Sequence, residues 1–175
     1  MQLSDFHYDL PEELIAQQPS ARRGDSRLLH LPTSGAAIDR QFVDLPGLLR
    51  PGDLLVFNDT RVLPARLHGT KQTGGKVEVL IERLRSDSEA VAQMRASKSP
   101  KSGSRILIGE FSLVVEGREE GFFQLRLEQG SLAELMRAHG SMPLPPYIRR
   151  ADGPLDQERY QTVFGDRPGA VAAPT

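Results

Sequence analysis

Two kinds of hydrophobic spacing alternate along this chain. Between residues 76 and 127 apolar side chains recur at every second position. Val77, Val79 and Ile81 share one face, as do Phe111, Leu113 and Val115, and then Phe123, Leu125 and Leu127. Ala90, Ala92, Met94 and Ala96 make a smaller face, and Ile106 with Ile108 another. A period of two is that of a strand with one face buried. Turn formers part these segments at Gly74-Gly75, residues 100–103, Gly109-Glu110 and residues 117–121. Five or six short strands at that spacing predict a small antiparallel barrel or sandwich, and closure would remove the exposed edges.

The flanks read differently. Asp9 and Glu12 have capping-box spacing, Pro11 suits a first helical turn, and Pro19 would end it. Arg27 to Leu31 reads as a strand, Ile38 to Val43 is extended, and Leu45, Leu48 and Leu49 fit one or two helical turns. Asp53 to Asn58 is a short apolar run with a polar exit, the pattern of a buried strand. Ser131 and Glu134 form a capping box ahead of a helix at about 131–139, and Gly140 suits its end. Prolines 143, 145 and 146 then impose a stiff, extended path. Asp156 can cap a helix bearing Arg159, Tyr160 and Val163 that ends at Gly165. Gly169 to Ala173 reads as a last short strand.

Composition narrows the class. At 38% hydrophobic and 26% charged residues over 175 positions, the chain is that of a globular protein with a sizeable core. It has no cysteine, which excludes disulfides and thiolate metal sites. The four histidines are scattered without ligand spacing. No apolar run approaches the roughly 18 residues of a membrane span, and the acidic start is unlike a signal peptide, so a cytoplasmic protein is expected. Net charge is −1, but it is unevenly spread. Residues 61–105 carry ten bases against four acids, whereas the rest carries twelve against nineteen. Such an island marks either a polyanion contact or a solvated strand surface.

Candidate chemistry is concentrated in Asn58-Asp59-Thr60-Arg61 and in Arg66. Asp59 is suited to serve as a base or to accept sugar hydroxyls, and Arg61 and Arg66 to hold a carboxylate or phosphate. A capped turn with solvated arginines fits the same residues.

Four stretches occur in order: NDTRVLPARL, GSMPLPPYI, ERYQTVF and PGAVAAPT. Together with the opening SDFHYDLPEELIAQQP and GGKVEVLIERL, they closely resemble the S-adenosylmethionine:tRNA ribosyltransferase-isomerases of queuosine biosynthesis. The resemblance spans the whole chain. Family members continue past AAPT into AGLHF and roughly as many residues again, so the chain resembles an N-terminal half whose C-terminal half is a further partner. The resemblance implies an α/β domain interrupted by an inserted β-barrel domain. Residues 1–63 and 147–175 would belong to the discontinuous domain, and 64–146 to the barrel. It implies transfer and isomerisation of the ribosyl part of S-adenosylmethionine onto 7-aminomethyl-7-deazaguanine at the wobble position of a tRNA anticodon stem-loop. S-adenosylmethionine would be a co-substrate, with no permanently bound cofactor and no metal. Asp59 and Arg61 would be catalytic. Asn58, Thr60, Arg66, Tyr147, Tyr160, Gln161, Thr162, Ala173, Pro174 and Thr175 would line the S-adenosylmethionine site. Arg95, Lys98, Lys101 and Arg105 would form a phosphate track. A non-catalytic RNA-binding or structural module is the alternative.

Overall fold

The computed structural model describes residues 1–170 of the chain. The described residues divide into two compact units, one of residues 1–57 and 146–150 and the other of residues 58–145 and 151–170.

The first unit is irregular. It holds an antiparallel pair, β1 (Arg27–His30) and β2 (Ile38–Gln41), and single-turn or longer 3-10 segments at Leu3–Phe6, Glu12–Leu14, Arg23–Asp25 and Phe42–Leu48. The helix expected after Asp9 is only the Glu12–Leu14 turn, because Pro11 and Pro19 leave too few residues to offset the cost of helix nucleation. The strand expected at 53–58 does not form. Leu54 and Val56 are each 86% exposed, and no described strand pairs with them. A segment apolar on both faces becomes a strand only where both faces and both edges are covered.

The second unit is built on a closed barrel. Its strands follow β3 (Thr60–Val62): β4 (Arg66–Lys71), β5 (Lys76–Leu84), β6 (Glu89–Ala96), β7 (Arg105–Ile108), β8 (Phe111–Glu119) and β9 (Phe122–Leu127). The order around the barrel is β4-β5-β6-β9-β8-β7, and β7 closes onto β4 through Thr70 opposite Leu107 and Lys71 opposite Ile106. All these pairings are antiparallel. The inward positions read from the period-two pattern fill the core, among them Val77, Val79, Ile81, Ile106, Leu113, Val115 and Leu125. β4 carries no such pattern, because its inward positions are Leu67 and Gly69. A Cβ on Gly69 would lie 2.6 Å from the Leu107 carbonyl oxygen and 2.7 Å from Ile108 Cγ1. The seam therefore closes only over a residue without a side chain.

Helix α1 (Leu132–His139) buries Leu132, Leu135 and Met136 in the barrel core. The capping box is formed: Glu134 N–H donates to Ser131 Oγ at 3.2 Å, and Ser131 N–H donates to Glu134 Oε2 at 2.9 Å. After α1, β10 (Gly140–Ser141) adds to β4 at Leu67 and Arg66. Helix α2 (Pro154–Arg159) begins two residues ahead of the expected cap, because proline suits its first position. Asp156 sits inside the first turn, where its buried carboxylate accepts from Gly153 N–H at 2.9 Å. The last strand, expected over Gly169 to Ala173, starts two residues earlier as β11 (Arg167–Ala170) and pairs in parallel with β3; residues 171–173 of the expected stretch lie outside the described residues. Among the described residues no helix is long and apolar enough to cross a membrane, and no cluster of potential metal ligands occurs.

Candidate functional site

Two stretches nearly a hundred residues apart meet in the second unit. Asn58 to Val62 runs into β3, and residues 160–167 wrap around it. Asn58 Oδ1 accepts from Thr60 N–H at 2.8 Å and from Thr60 Oγ1 at 2.5 Å. The backbone carbonyl of Asp59 accepts from Asp166 N–H at 2.7 Å and Arg167 N–H at 3.2 Å. Val62 N–H donates to Gln161 Oε1 at 2.8 Å, and Gln161 Nε2 donates to the Val62 carbonyl at 2.9 Å. Gly165 lies against Arg61: a Cβ there would be 3.2 Å from Arg61 Cγ and 3.3 Å from Thr162 Cγ2.

This weave sorts the expected site residues. Thr60 and Val62 alternate inward, Val62 being buried. Arg61 points the other way and is exposed, and Asp59, just ahead of the strand within the turn that Asn58 Oδ1 closes on Thr60 N–H, is exposed as well. Gln161 spends its carboxamide on the Val62 backbone. Thr162 turns the chain, its carbonyl accepting from Gly165 N–H at 3.2 Å and its Oγ1 from Phe164 N–H at 3.3 Å. Tyr160 ends α2, its N–H donating to the Asp156 carbonyl at 2.9 Å. Arg66 lies on β4 beside Glu78, Nε to Oε1 at 3.4 Å, with His68 Nε2 at 3.9 Å from the same carboxylate's other oxygen. Ala173, Pro174 and Thr175 lie outside the described residues. The weave brings in Gly165, Asp166 and Arg167, which sequence reasoning passed over. The N–H groups of Asp166 and Arg167 meet the Asp59 carbonyl, and that of Gly165 closes the turn onto Thr162; such backbone contacts leave no residue-type signal.

Beside the weave, a cavity of about 630 Å³ opens between Leu63-Pro64, Leu84, Met136 and the start of β11. Arg83 and Arg137 also line it. An apolar hollow with a few charged groups has the general character of a small-molecule site.

Tyr147 belongs to the first unit. It is exposed, and its carbonyl accepts from Gln17 Nε2 at 3.0 Å. Gln17 also accepts from Arg149 N–H at 2.7 Å, and Arg149 forks onto Glu12 with both bonds at 2.5 Å. That guanidinium holds the Glu12 carboxyl below the ordinary carboxylate range, first by hydrogen bonding and then by charge. These residues line a hollow of about 410 Å³.

The basic island also sorts itself. Arg105 forks onto Glu128 through Nε and Nη2 at 3.0–3.1 Å, and Ser112 Oγ donates to the same carboxylate at 2.6 Å. These bonds hold the Glu128 carboxyl below its usual range and raise the Arg105 guanidinium above its own. Arg85 pairs with Glu119 and Arg83 with Glu82. Among the described residues Lys71, Lys76, Arg95, Lys98 and Lys101 have no carboxylate at ion-pair distance. Lys71 Nζ donates to the Lys98 carbonyl at 3.0 Å, which draws the β4–β5 hairpin to the loop after β6. Lys76 and Arg95 line a shallow hollow of about 780 Å³ with His68 and exposed Leu107. Of the four residues expected to form the phosphate track, Arg95, Lys98 and Lys101 have no carboxylate at ion-pair distance among the described residues, whereas Arg105 is paired with Glu128.

A family model described as queuosine biosynthesis protein matches residues 3–175. The S-adenosylmethionine:tRNA ribosyltransferase-isomerase of Nitrosospira multiformis is 56% identical over 178 residues, covering all of this chain and 50% of the relative. That of Nitrosococcus oceani is 53% identical, covering all of this chain and 52% of the relative. A solved structure, the S-adenosylmethionine tRNA ribosyltransferase of Thermotoga maritima, is 32% identical over 82% of this chain and 52% of that one, with a TM-score of 0.40. The chain therefore spans about half the length of these relatives.

Proposed function

Since the chain belongs to the queuosine biosynthesis protein family, we propose that it forms the N-terminal half of a tRNA-modifying transferase-isomerase. The enzyme moves the ribosyl part of S-adenosylmethionine onto the aminomethyl group of 7-aminomethyl-7-deazaguanine at the wobble position and isomerises it to the epoxide of epoxyqueuosine. Adenine and methionine leave.

The observation that carries this reading is the weave of residues 58–62 with 160–167, which joins two motif stretches and leaves Asp59 and Arg61 exposed two residues apart, so that both can be turned to one face. The chemistry asks for such a face. A sulfonium acidifies the carbon beside it, so a carboxylate held there removes a proton, and departure of adenine is helped by an acid. Asp59 serves as that base or as an anchor for the ribose hydroxyls. Arg61 has no carboxylate partner among the described residues and is suited to the carboxylate of the methionine portion. Arg66, already beside Glu78, is less available for it. Tyr147 offers an exposed ring for stacking. The rim of Lys71, Lys76, Arg95, Lys98 and Lys101 takes the phosphates of the anticodon stem-loop. That rim also favours a second reading, an RNA-binding module without catalysis of its own.

In the full-length protein, Asp59→Ala abolishes adenine release from S-adenosylmethionine in the presence of tRNA, read by mass spectrometry. Wild-type turnover in that variant removes Asp59 from the site. Tight tRNA binding by a full-length protein that releases no adenine would favour the second reading.

A further inference from the structure

Strand β3 has two edges, and they are covered in different ways. One takes β11 in parallel, with Arg167 opposite Thr60 and Pro168 opposite Arg61. The other is closed by side chains. Asn58 Oδ1 receives Thr60 N–H, and the Gln161 carboxamide meets Val62 with both of its groups. The N–H and C=O of one strand residue point to the same side, so a carboxamide, with one acceptor and one donor side by side, stands in for a partner strand. Val62 is 4% exposed, so water is a poor substitute partner for these groups. The same stretch is tied at its other end by the Asp59 carbonyl, and Arg61 rests on Gly165 between the two ties.

We propose that Gln161 is a positioning residue: it seals the free edge of β3 at Val62 and so fixes the pose of Asp59 and Arg61, without contacting the substrate. This rests on the function proposed above for the Asp59–Arg61 face, and it differs from the sequence-based expectation that Gln161 lines the S-adenosylmethionine site. The chemistry of the clamp is specific. Gln161→Leu removes both bonds at similar volume. Gln161→Glu keeps the acceptor, but while ionised it sets a negative oxygen against the Val62 carbonyl. Once protonated, the introduced carboxyl again offers one donor and one acceptor. Folding favours its neutral form, so its pKa rises in the folded state. The defect is therefore present above that raised pKa and disappears as pH falls below it.

Hydrogen exchange at the Val62 amide and turnover in the full-length protein test this together. Q161L exchanges Val62 about ten-fold faster than wild type, the factor expected for loss of an ordinary hydrogen bond. Its kcat for adenine release falls by at least about ten-fold, and because Arg61 is proposed to hold the methionine carboxylate, any rise in the KM for S-adenosylmethionine comes only together with the loss of Val62 protection. Q161E shows both defects at pH 8, and each returns toward the wild-type value measured at the same pH as the solution is brought to pH 5. A rise in KM with Val62 protection unchanged would overturn the proposal and put Gln161 on the substrate. So would a Q161E-to-wild-type ratio that does not vary with pH. If Q161L does not fold, Q161E at low pH carries the test. If the wild-type full-length protein releases no adenine, the proposed function fails, whereas the exchange measurement still decides whether the clamp exists.

Discussion

Charge neutralisation on the barrel rim makes the sharpest quantitative prediction. The perturbation is the pair Lys98→Ala and Lys101→Ala, set against Arg105→Ala. Counterion release gives a slope in log affinity against log salt of about −0.7 per phosphate contact for single-stranded and about −0.9 for duplex nucleic acid. If Lys71, Lys76, Arg95, Lys98 and Lys101 each meet a phosphate, the slope is about −3.5 in the single-strand limit. A four-fold rise in salt then weakens binding by about 100-fold. Losing Lys98 and Lys101 brings the slope to about −2.1, and the same rise in salt costs only about 20-fold. Arg105 behaves differently because its charge is already matched: three contacts at 3.0–3.1 Å tie it to Glu128. Arg105→Ala uncovers a carboxylate and weakens binding at every salt concentration, but the slope stays within about 0.3 of wild type. The assay is fluorescence anisotropy of a labelled anticodon stem-loop titrated with the chain between 50 and 200 mM potassium chloride. A slope unchanged in the double lysine variant, or reduced as much by Arg105→Ala, would refute this sorting of the bases.

Other outcomes follow from the barrel itself. Gly69→Ala drives a methyl group into the Leu107 carbonyl and Ile108, so it should cost about 1–3 kcal/mol and be seen as a lowered urea midpoint. Ser131→Ala removes the acceptor for Glu134 N–H and should cost about 1 kcal/mol by the same measurement. Acid should weaken the barrel through Glu128, whose carboxyl is held low first by its hydrogen bonds to Arg105 and then by that from Ser112. A depressed folded-state pKa gives stability that is fully present above the unfolded value and is lost as pH falls through the folded one. Glu128→Gln should therefore flatten the acid side of a stability–pH curve from pH 7 to pH 3, and an unaltered acid limb would exclude Glu128 as a contributor.

The weave also suggests why particular small residues stand where they do. Gly165 allows the Arg61 stem to lie flat on the 162–165 turn. Its replacement by alanine would press on Arg61 Cγ from 3.2 Å, which the flexible stem can relieve by moving, and on Thr162 Cγ2 and the Thr162 carbonyl oxygen from 3.3 Å, which the turn itself must absorb.

Much of the barrel was legible along the chain because a strand's side-chain period is local. Val77, Val79 and Ile81 declare their common face whatever lies across from them. The helix from Leu132 was equally plain, since its capping box is written in residues three apart. Three things were not legible, each for a physical reason. β4 shows no alternation, because closing the barrel demands glycine where a hydrophobic signal would stand. Asp53 to Asn58 has the composition of a buried strand, but burial needs covering elements, and composition does not supply them. The pairing of Asn58–Val62 with residues 160–167 runs mostly through backbone groups that every residue type carries. Side-chain period and capping are short-range properties, and the amino acids alone determined them. Closure of the barrel, cancellation of Arg105 by Glu128 and the use of Gln161 as a strand edge depend on which distant groups come within three ångströms or so, and only the tertiary structure decided those.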